Sequence, residues 1–271
     1  FFKHDADDAR ASGWRLKNHA RDAFWQWLAS WGMSVKRPSD LGYSDEGYLL
    51  PPLEILPVIV EGEVNVPGRI FVNRLRGVQD RAAVRRQTID ARVAATVELI
   101  RSDNQPWIAW CGLNDESTAV AHGLGEVAVE VTGSMSPEEK AERIEAFVDG
   151  RFRVLVTKPT IAGFGMNFQH CARMAFVGIG DSYEQYYQAV RRCYRFGQTQ
   201  PVKAYVVLSE IERTIFDNVL RKEAEAEAMA TELVKHVAAY ERAEIAGASL
   251  GNFNDIHNTA MALPAWLGGA S

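Results

Sequence analysis

Apolar positions along this chain change period several times, and each change marks an element. Trp14, Phe24, Trp25, Trp27, Leu28 and Trp31 form an aromatic helical pattern, after which Pro38, Pro51, Pro52, Pro57 and Pro67 punctuate a connecting stretch. Its run Leu53-Glu54-Ile55-Leu56-Pro57-Val58-Ile59-Val60 has strand character broken by proline, which restricts it to an edge or crossover strand. From about 76 to 101, Val78, Ala82, Ile89, Val93, Val97 and Ile100 keep a 3.6-type stripe and predict a long amphipathic helix. Short apolar runs at 107–111, 127–131, 154–157, 174–178 and 202–208 then alternate with helical segments. That alternation predicts an α/β fold, a parallel sheet covered by helices. One helix starts near Asn114. Another starts at the capping box Ser136-Pro137-Glu138-Glu139 and turns Ala141, Ile144, Phe147 and Val148 inward. Beyond 210 an alanine- and glutamate-rich helix runs to about 246, followed by a glycine-containing tail with an isolated Trp266.

The segment 181–198 carries the most chemistry. Asp181-Ser182-Tyr183-Glu184-Gln185 reads as a capping box with Ser182 as N-cap, and Gly197 can close the helix. Gln188, Arg192 and Arg195 stand at i, i+4 and i+7 on one face, while Ala189, Val190, Cys193 and Phe196 lie on or near the opposite side. One face packs and the other presents guanidiniums suited to a polyphosphate. Two arginines three apart also fit a solvated helix edge, so their neighbours decide between the readings.

Strand ends supply those neighbours. In an open α/β sheet the loops after 111, 131, 157 and 178 share one rim, where ligands sit. Thr132-Gly133-Ser134 and Gly163-Phe164-Gly165-Met166-Asn167-Phe168-Gln169 fall there. Glycines let backbone approach a ligand and leave N–H groups for phosphate oxygens.

Composition narrows the classes. With 271 residues, 47% hydrophobic and 24% charged, the chain has material for one large domain or two modest ones. No run approaches the ~18 apolar residues of a membrane span, and Phe1-Phe2-Lys3-His4-Asp5 lacks the order of a signal peptide; a cytoplasmic protein is expected. Cys111, Cys171 and Cys193 form no Cys-x-x-Cys pair, which predicts buried thiols and no metal site. A formal charge of −5 excludes coating nucleic acid through net positive charge and leaves room for a local basic groove. Residues 69–101 hold eight basic against three acidic side chains. Arg74, Arg81, Arg85 and Arg92 are its candidate phosphate contacts, with a solvated edge as the alternative.

The succession Thr132-Gly133-Ser134, Arg143-Ile144, Phe147, Gly163-Phe164-Gly165-Met166-Asn167-Phe168 and Gln188-Ala189-x-x-Arg192-x-x-Arg195-Phe196-Gly197-Gln198 resembles the second RecA-like domain of superfamily 2 helicases. Within them it is most similar to the Swi/Snf-type branch of DNA translocases. The stretch 37–60, with Leu50-Pro51-Pro52, resembles the link after the first RecA-like domain, and the aromatic opening is similar to that of phage and prophage helicase-like proteins. The resemblance implies that Arg192 and Arg195 are arginine fingers reaching the phosphates of ATP held on a first lobe, with Gln188 on the same face. It implies nucleotide-cleft roles for Gly163, Gly165 and Asn167, and nucleic-acid contacts for Gly133, Ser134 and the 110–114 region with Asn114. The implied partners are DNA, expected to be double-stranded, and the N-terminal lobe of the same protein, which would hold most of the ATP and Mg²⁺.

No Gly-x-x-x-x-Gly-Lys-Ser/Thr loop occurs. Asp115-Glu116-Ser117-Thr118 mimics an acidic magnesium box but lies inside a predicted helix, and is rejected. Beginning at Phe1, the chain is expected to be the C-terminal portion of a longer protein with negligible ATPase activity alone. The expected division is an aromatic segment and connector at 1–75, the RecA-like domain at 76–225 and a helix and tail at 226–271. Two other classes stay open. One is a non-catalytic nucleic-acid-binding module. The other is an unrelated α/β nucleotide transferase, which would need a catalytic His or carboxylate pair, and His122 and His170 each stand alone.

Overall fold

The computed structural model describes residues 1–4, 14–29, 32, 35–61, 86–163, 165–180 and 182–245. Two compact units divide the chain: 47–226, and 1–46 together with the chain from 227 onward. Arg74, Arg81, Arg85, Val78, Ala82, Trp31 and Trp266 lie outside the described residues.

In the smaller unit, β1 (Phe2–His4) pairs antiparallel with β2 (Trp14–Leu16). The aromatic pattern beginning at Trp14 is therefore not one helix. Trp14 sits opposite His4, Lys17 N–H donates to the Phe1 carbonyl, and α1 starts only at Arg21 (Arg21–Ala29). Phe24 on α1 meets Phe1 and Phe2 edge-on at 5.6 and 5.2 Å, and Trp25 is buried.

The larger unit is built on six strands: β3 (Leu53–Val60), β4 (Trp107–Cys111), β5 (Ala128–Glu130), β6 (Val154–Thr157), β7 (Arg173–Val177) and β8 (Val202–Ser209). Their order is β3-β8-β7-β4-β6-β5, and every neighbouring pair is parallel. β3 is the edge strand the interrupted run predicted, with Pro57 opposite Val206; an edge position tolerates a residue that cannot donate to a ladder. The helices between strands are α2 (Ile89–Arg101), α3 (Asn114–Leu124), α4 (Pro137–Val148), the short α5 (Pro159–Ala162) and α6 (Tyr183–Cys193), and α7 (Arg213–Ile245) follows β8.

Period-two alternation along β4 shows how both faces are covered. Trp107, Ala109 and Cys111 pack with Val97 and Ile100 of α2 and Val120 and Leu124 of α3. Ile108 and Trp110 point into the opposite core, among Ile144 and Phe147 of α4, Ala189 and Val190 of α6, and Phe216 and Val219 of α7. On α4, Ser136 Oγ accepts from Glu139 N–H while Glu139 accepts from Ser136 N–H, the predicted box. Its inward face is narrower than the sequence suggested. Ile144, Ala146 and Phe147 are buried, but Ala141 and Val148 are exposed, because a helix lying on a sheet buries one stripe and these two fall beyond it. No described helix is long and apolar enough to cross a membrane.

Candidate functional site

All six strands point one way, so their carboxyl ends form one rim. There α6 begins with Ser182 Oγ accepting from Gln185 N–H at 3.3 Å. The helix ends at Cys193, ahead of Gly197. Its last carbonyls are taken by groups from elsewhere: Arg192 O accepts from Phe168 N–H at 2.9 Å, and Cys193 O accepts from the Gln198 side-chain amide at 3.3 Å. Arg195 consequently lies past the helix, in a turn closed by Gln198 N–H to Arg195 O, and Gly197 takes a positive φ of 93° within it. Phe196, expected to pack near the apolar side of the helix, is turned outward and stacks on Tyr48.

The three side chains of the predicted stripe still converge. Arg192 donates through Nη1 to the Met166 carbonyl at 3.1 Å, through Nε to Gln188 O and through Nη2 to Gln188 Oε1. Arg195 Nη1 reaches the same Met166 carbonyl at 3.3 Å. One carbonyl of the glycine loop thus anchors two half-buried guanidiniums, and neither has a carboxylate partner among the described residues. Burial, and then the adjacent Arg195 charge, pull the Arg192 pKa below its ordinary value. Each guanidinium carries five N–H donors, so both keep donors for an anion, and the pair fits phosphate oxygens.

The glycine loop is fixed from beneath. A Cβ on Gly163 would overlap the Pro159 carbonyl, and Gly165 adopts a φ of 75° with open space around it. Asn167 Oδ1 accepts from Gln169 N–H, so its side chain shapes the loop. Phe168 is buried against Phe147. Gln198, quoted in the sequence motif without a role of its own, is the member whose part sequence reasoning missed. Its buried amide donates to Gln169, Cys171 and Cys193 carbonyls and accepts from Thr199 and Gln200 N–H, joining the loop to the turn after α6.

Asn114, the first residue of α3, and Gly133 and Ser134 in the loop after β5 are exposed and take no part in the arginine cluster. Ser134 Oγ bonds Thr132 Oγ1, and Lys140 Nζ donates to Gly133 O. Arg92 corrects the predicted phosphate stripe, because its side chain is fully buried. It donates to Glu116 Oε1 at 2.6 Å, to Val177 O and to Thr88 Oγ1, with Glu212 at 3.6 Å. Glu116, excluded as a magnesium ligand, instead accepts from Gly112 and Leu113 N–H.

A cleft of about 130 Å³ also opens on the rim, lined by Trp110, Lys158, Thr160, Ser182, Gln185 and Tyr186. Burial raises the Tyr186 pKa and keeps its hydroxyl protonated. His170 packs on the Phe147 ring and its pKa is lowered by burial. Among the described residues neither His122 nor His170 hydrogen-bonds a carboxylate, and no group of three metal-ligating side chains gathers. The three cysteines are buried free thiols.

Residues 93–197, from α2 to the turn after α6, match the model of the helicase conserved C-terminal domain. No curated protein matches. Among solved structures, the chain is similar to one described as the crystal structure of the C-terminal part of the Fun30 ATPase domain, at 18% identity with a TM-score of 0.43. The likeness covers 48% of this chain and 45% of that one, so the chain spans less than half the length of that structure. The six-stranded sheet with its helices is the RecA-like α/β fold of such a helicase domain.

Proposed function

We propose that the chain supplies the C-terminal RecA-like lobe of an ATP-dependent DNA translocase or helicase of the Swi/Snf type, in which Arg192 and Arg195 reach the phosphates of ATP seated on an N-terminal lobe. The observation that carries this is the anchoring of both guanidiniums, without acidic partners among the described residues, on the Met166 carbonyl. Fixed cations with spare donors suit a reaction whose catalysis is positioning and charge stabilisation.

ATP with its magnesium supplies the phosphoryl group. Arg192 and Arg195 face its oxygens, and Gln188 orients Arg192 through Oε1 and its carbonyl. Gly163, Gly165 and Asn167 hold the loop whose carbonyl sets both arginines. Magnesium falls to the other lobe in this reading, because the phosphate loop whose Ser/Thr would hold it has no counterpart in this sequence. Asn114, Gly133 and Ser134 contact the backbone of duplex DNA from the same rim, and Arg74, Arg81 and Arg85 add basic contacts. The chain alone turns over negligible ATP.

The test is ATP turnover, with and without duplex DNA, by the protein carrying both lobes and by its Arg192→Ala and Arg195→Ala variants. Loss of about 10³–10⁵-fold is expected for an arginine finger, with thermal melts preserved. Among the described residues the Arg195 side chain makes a single intramolecular hydrogen bond where that of Arg192 makes three, so Arg195→Ala best separates chemistry from folding. Turnover that survives in a folded variant would overturn the proposal.

A further inference from the structure

We propose that the stacked rings of Tyr48 and Phe196 form a platform for the base of the nucleotide whose phosphates face Arg192 and Arg195. The inference rests on the function proposed above and adds a determinant to it, because the arginines read only phosphate. The rings lie 5.1 Å apart and 28° from parallel, and Tyr48 and Phe196 are 57% and 61% exposed. Trp107, Trp110, Phe147, Phe168 and Phe176 of the same unit are buried in its core, so the pair stands out as aromatic surface that folding has not used.

Its presentation is rigid. Phe196 occupies the turn closed by Gln198 N–H to Arg195 O, and that turn is pinned by the buried Gln198 amide. The preceding residue is Arg195, itself tied to Met166 O. Had α6 continued, Phe196 would fall near its packed side; the helix end at Cys193 is what delivers the ring to solvent. An exposed aromatic face and one cation, Arg195, are thereby presented by consecutive residues of one turn, and the second cation, Arg192, shares the Met166 carbonyl from the last turn of α6, neither cation having a carboxylate partner among the described residues. A nucleoside triphosphate offers both complements in one molecule, a flat base with a π-face and a chain of negative oxygens.

A nucleic-acid strand has the same chemistry, but its successive bases call for successive platforms. Among the described residues of this unit no third aromatic ring belongs to the exposed large apolar side chains. One platform beside one anion-binding pair matches one nucleotide. Stacking tolerates any base, since each has a π-face, so the platform strengthens binding of nucleotides as a class.

Phe196→Ala and Tyr48→Ala, in the protein carrying both lobes, should raise the KM for ATP about 5- to 50-fold, as loss of a base–aromatic stack does, with kcat held. Inhibition by inorganic tripolyphosphate, which has no base, should not change, and Phe196→Trp should keep the KM low. An unchanged KM in the alanine variants overturns the platform. So does a loss confined to DNA affinity, which assigns the rings to nucleic acid, or an equal loss of tripolyphosphate inhibition, which means the turn has moved. If Phe196→Ala lowers the melting temperature, Phe196→Leu keeps apolar bulk without a ring and is read the same way. Arg195→Ala separates the two proposals: if it spares turnover, the lobe assignment falls; if it abolishes turnover while Phe196→Ala leaves KM alone, only the platform falls.

Discussion

Two glycines two residues apart serve the same loop for different physical reasons, and substitution separates them. Gly163 has no room for a Cβ, because the Pro159 carbonyl occupies that position. Gly165 has room but sits at a φ of 75°, where an L-residue is strained. Gly165→Ala should cost about 1–2 kcal/mol, the left-handed penalty. Gly163→Ala should cost about 3 kcal/mol, at the upper end of overpacking, since backbone must move. Urea denaturation of both variants measures the difference, and equal costs would contradict this account. At this scale local signals were legible: Ser136 and Ser182 cap their helices, and Gln188 meets Arg192 four residues on, all within about one helical turn, where periodicity and capping rules operate. Gln198 was not legible, because its amide partners at Gln169 and Cys171 are distant in sequence. Phe196 was misplaced because the helix ends at Cys193, ahead of the Gly197 expected to close it, its last carbonyls being captured by Phe168 and Gln198.

Arg92 belongs to the scale of elements, because it joins four of them. From α2 it reaches the N-terminal turn of α3 through Glu116, the end of β7 through Val177 O, and the turn after β8 through Glu212. Glu116 passes the constraint to Gly112 and Leu113 after β4, and Glu212 clamps both the N–H and hydroxyl of Ser209. Such a cluster need not add stability relative to apolar packing, but removing one member leaves charge buried without compensation. Arg92→Met should therefore destabilise by about 3–5 kcal/mol, and adding Glu116→Gln and Glu212→Gln should recover part of it. A triple variant no more stable than the single one, in guanidinium denaturation, would show that the charges are not what the methionine disturbs. The basic segment 69–101 invited a phosphate role for Arg92 because charge counts are blind to burial; the stripe that places Val93, Val97 and Ile100 toward the sheet carries Arg92 inward too. The sheet itself was readable, since strands covered on both faces appear as short apolar runs whose ends shift by a residue at most.

For the molecule as a whole, what matters is how far apart in the chain the partners of its sheet lie. β4, β5, β6, β7 and β8 arrive in succession with a helix or loop between each, but β3 pairs along its full length with β8 from roughly 150 residues earlier. Closing a long loop must precede any gain from that ladder. The five later strands can therefore assemble first, with β3 added onto a sheet already formed. Ile55 of β3 packs against the core from this edge, so Ile55→Ala should accelerate unfolding and leave the refolding rate nearly untouched, the response of a contact absent from the transition state. Stopped-flow chevrons measure this, and a slowed folding limb would put β3 in the nucleus instead. Until β3 docks, β8 is an open sheet edge of eight residues, a template for pairing with other chains. In that order of assembly the strand that comes first in the sheet's sequence is the last to arrive, and the rate of its arrival sets how long the edge of β8 stays open to other chains.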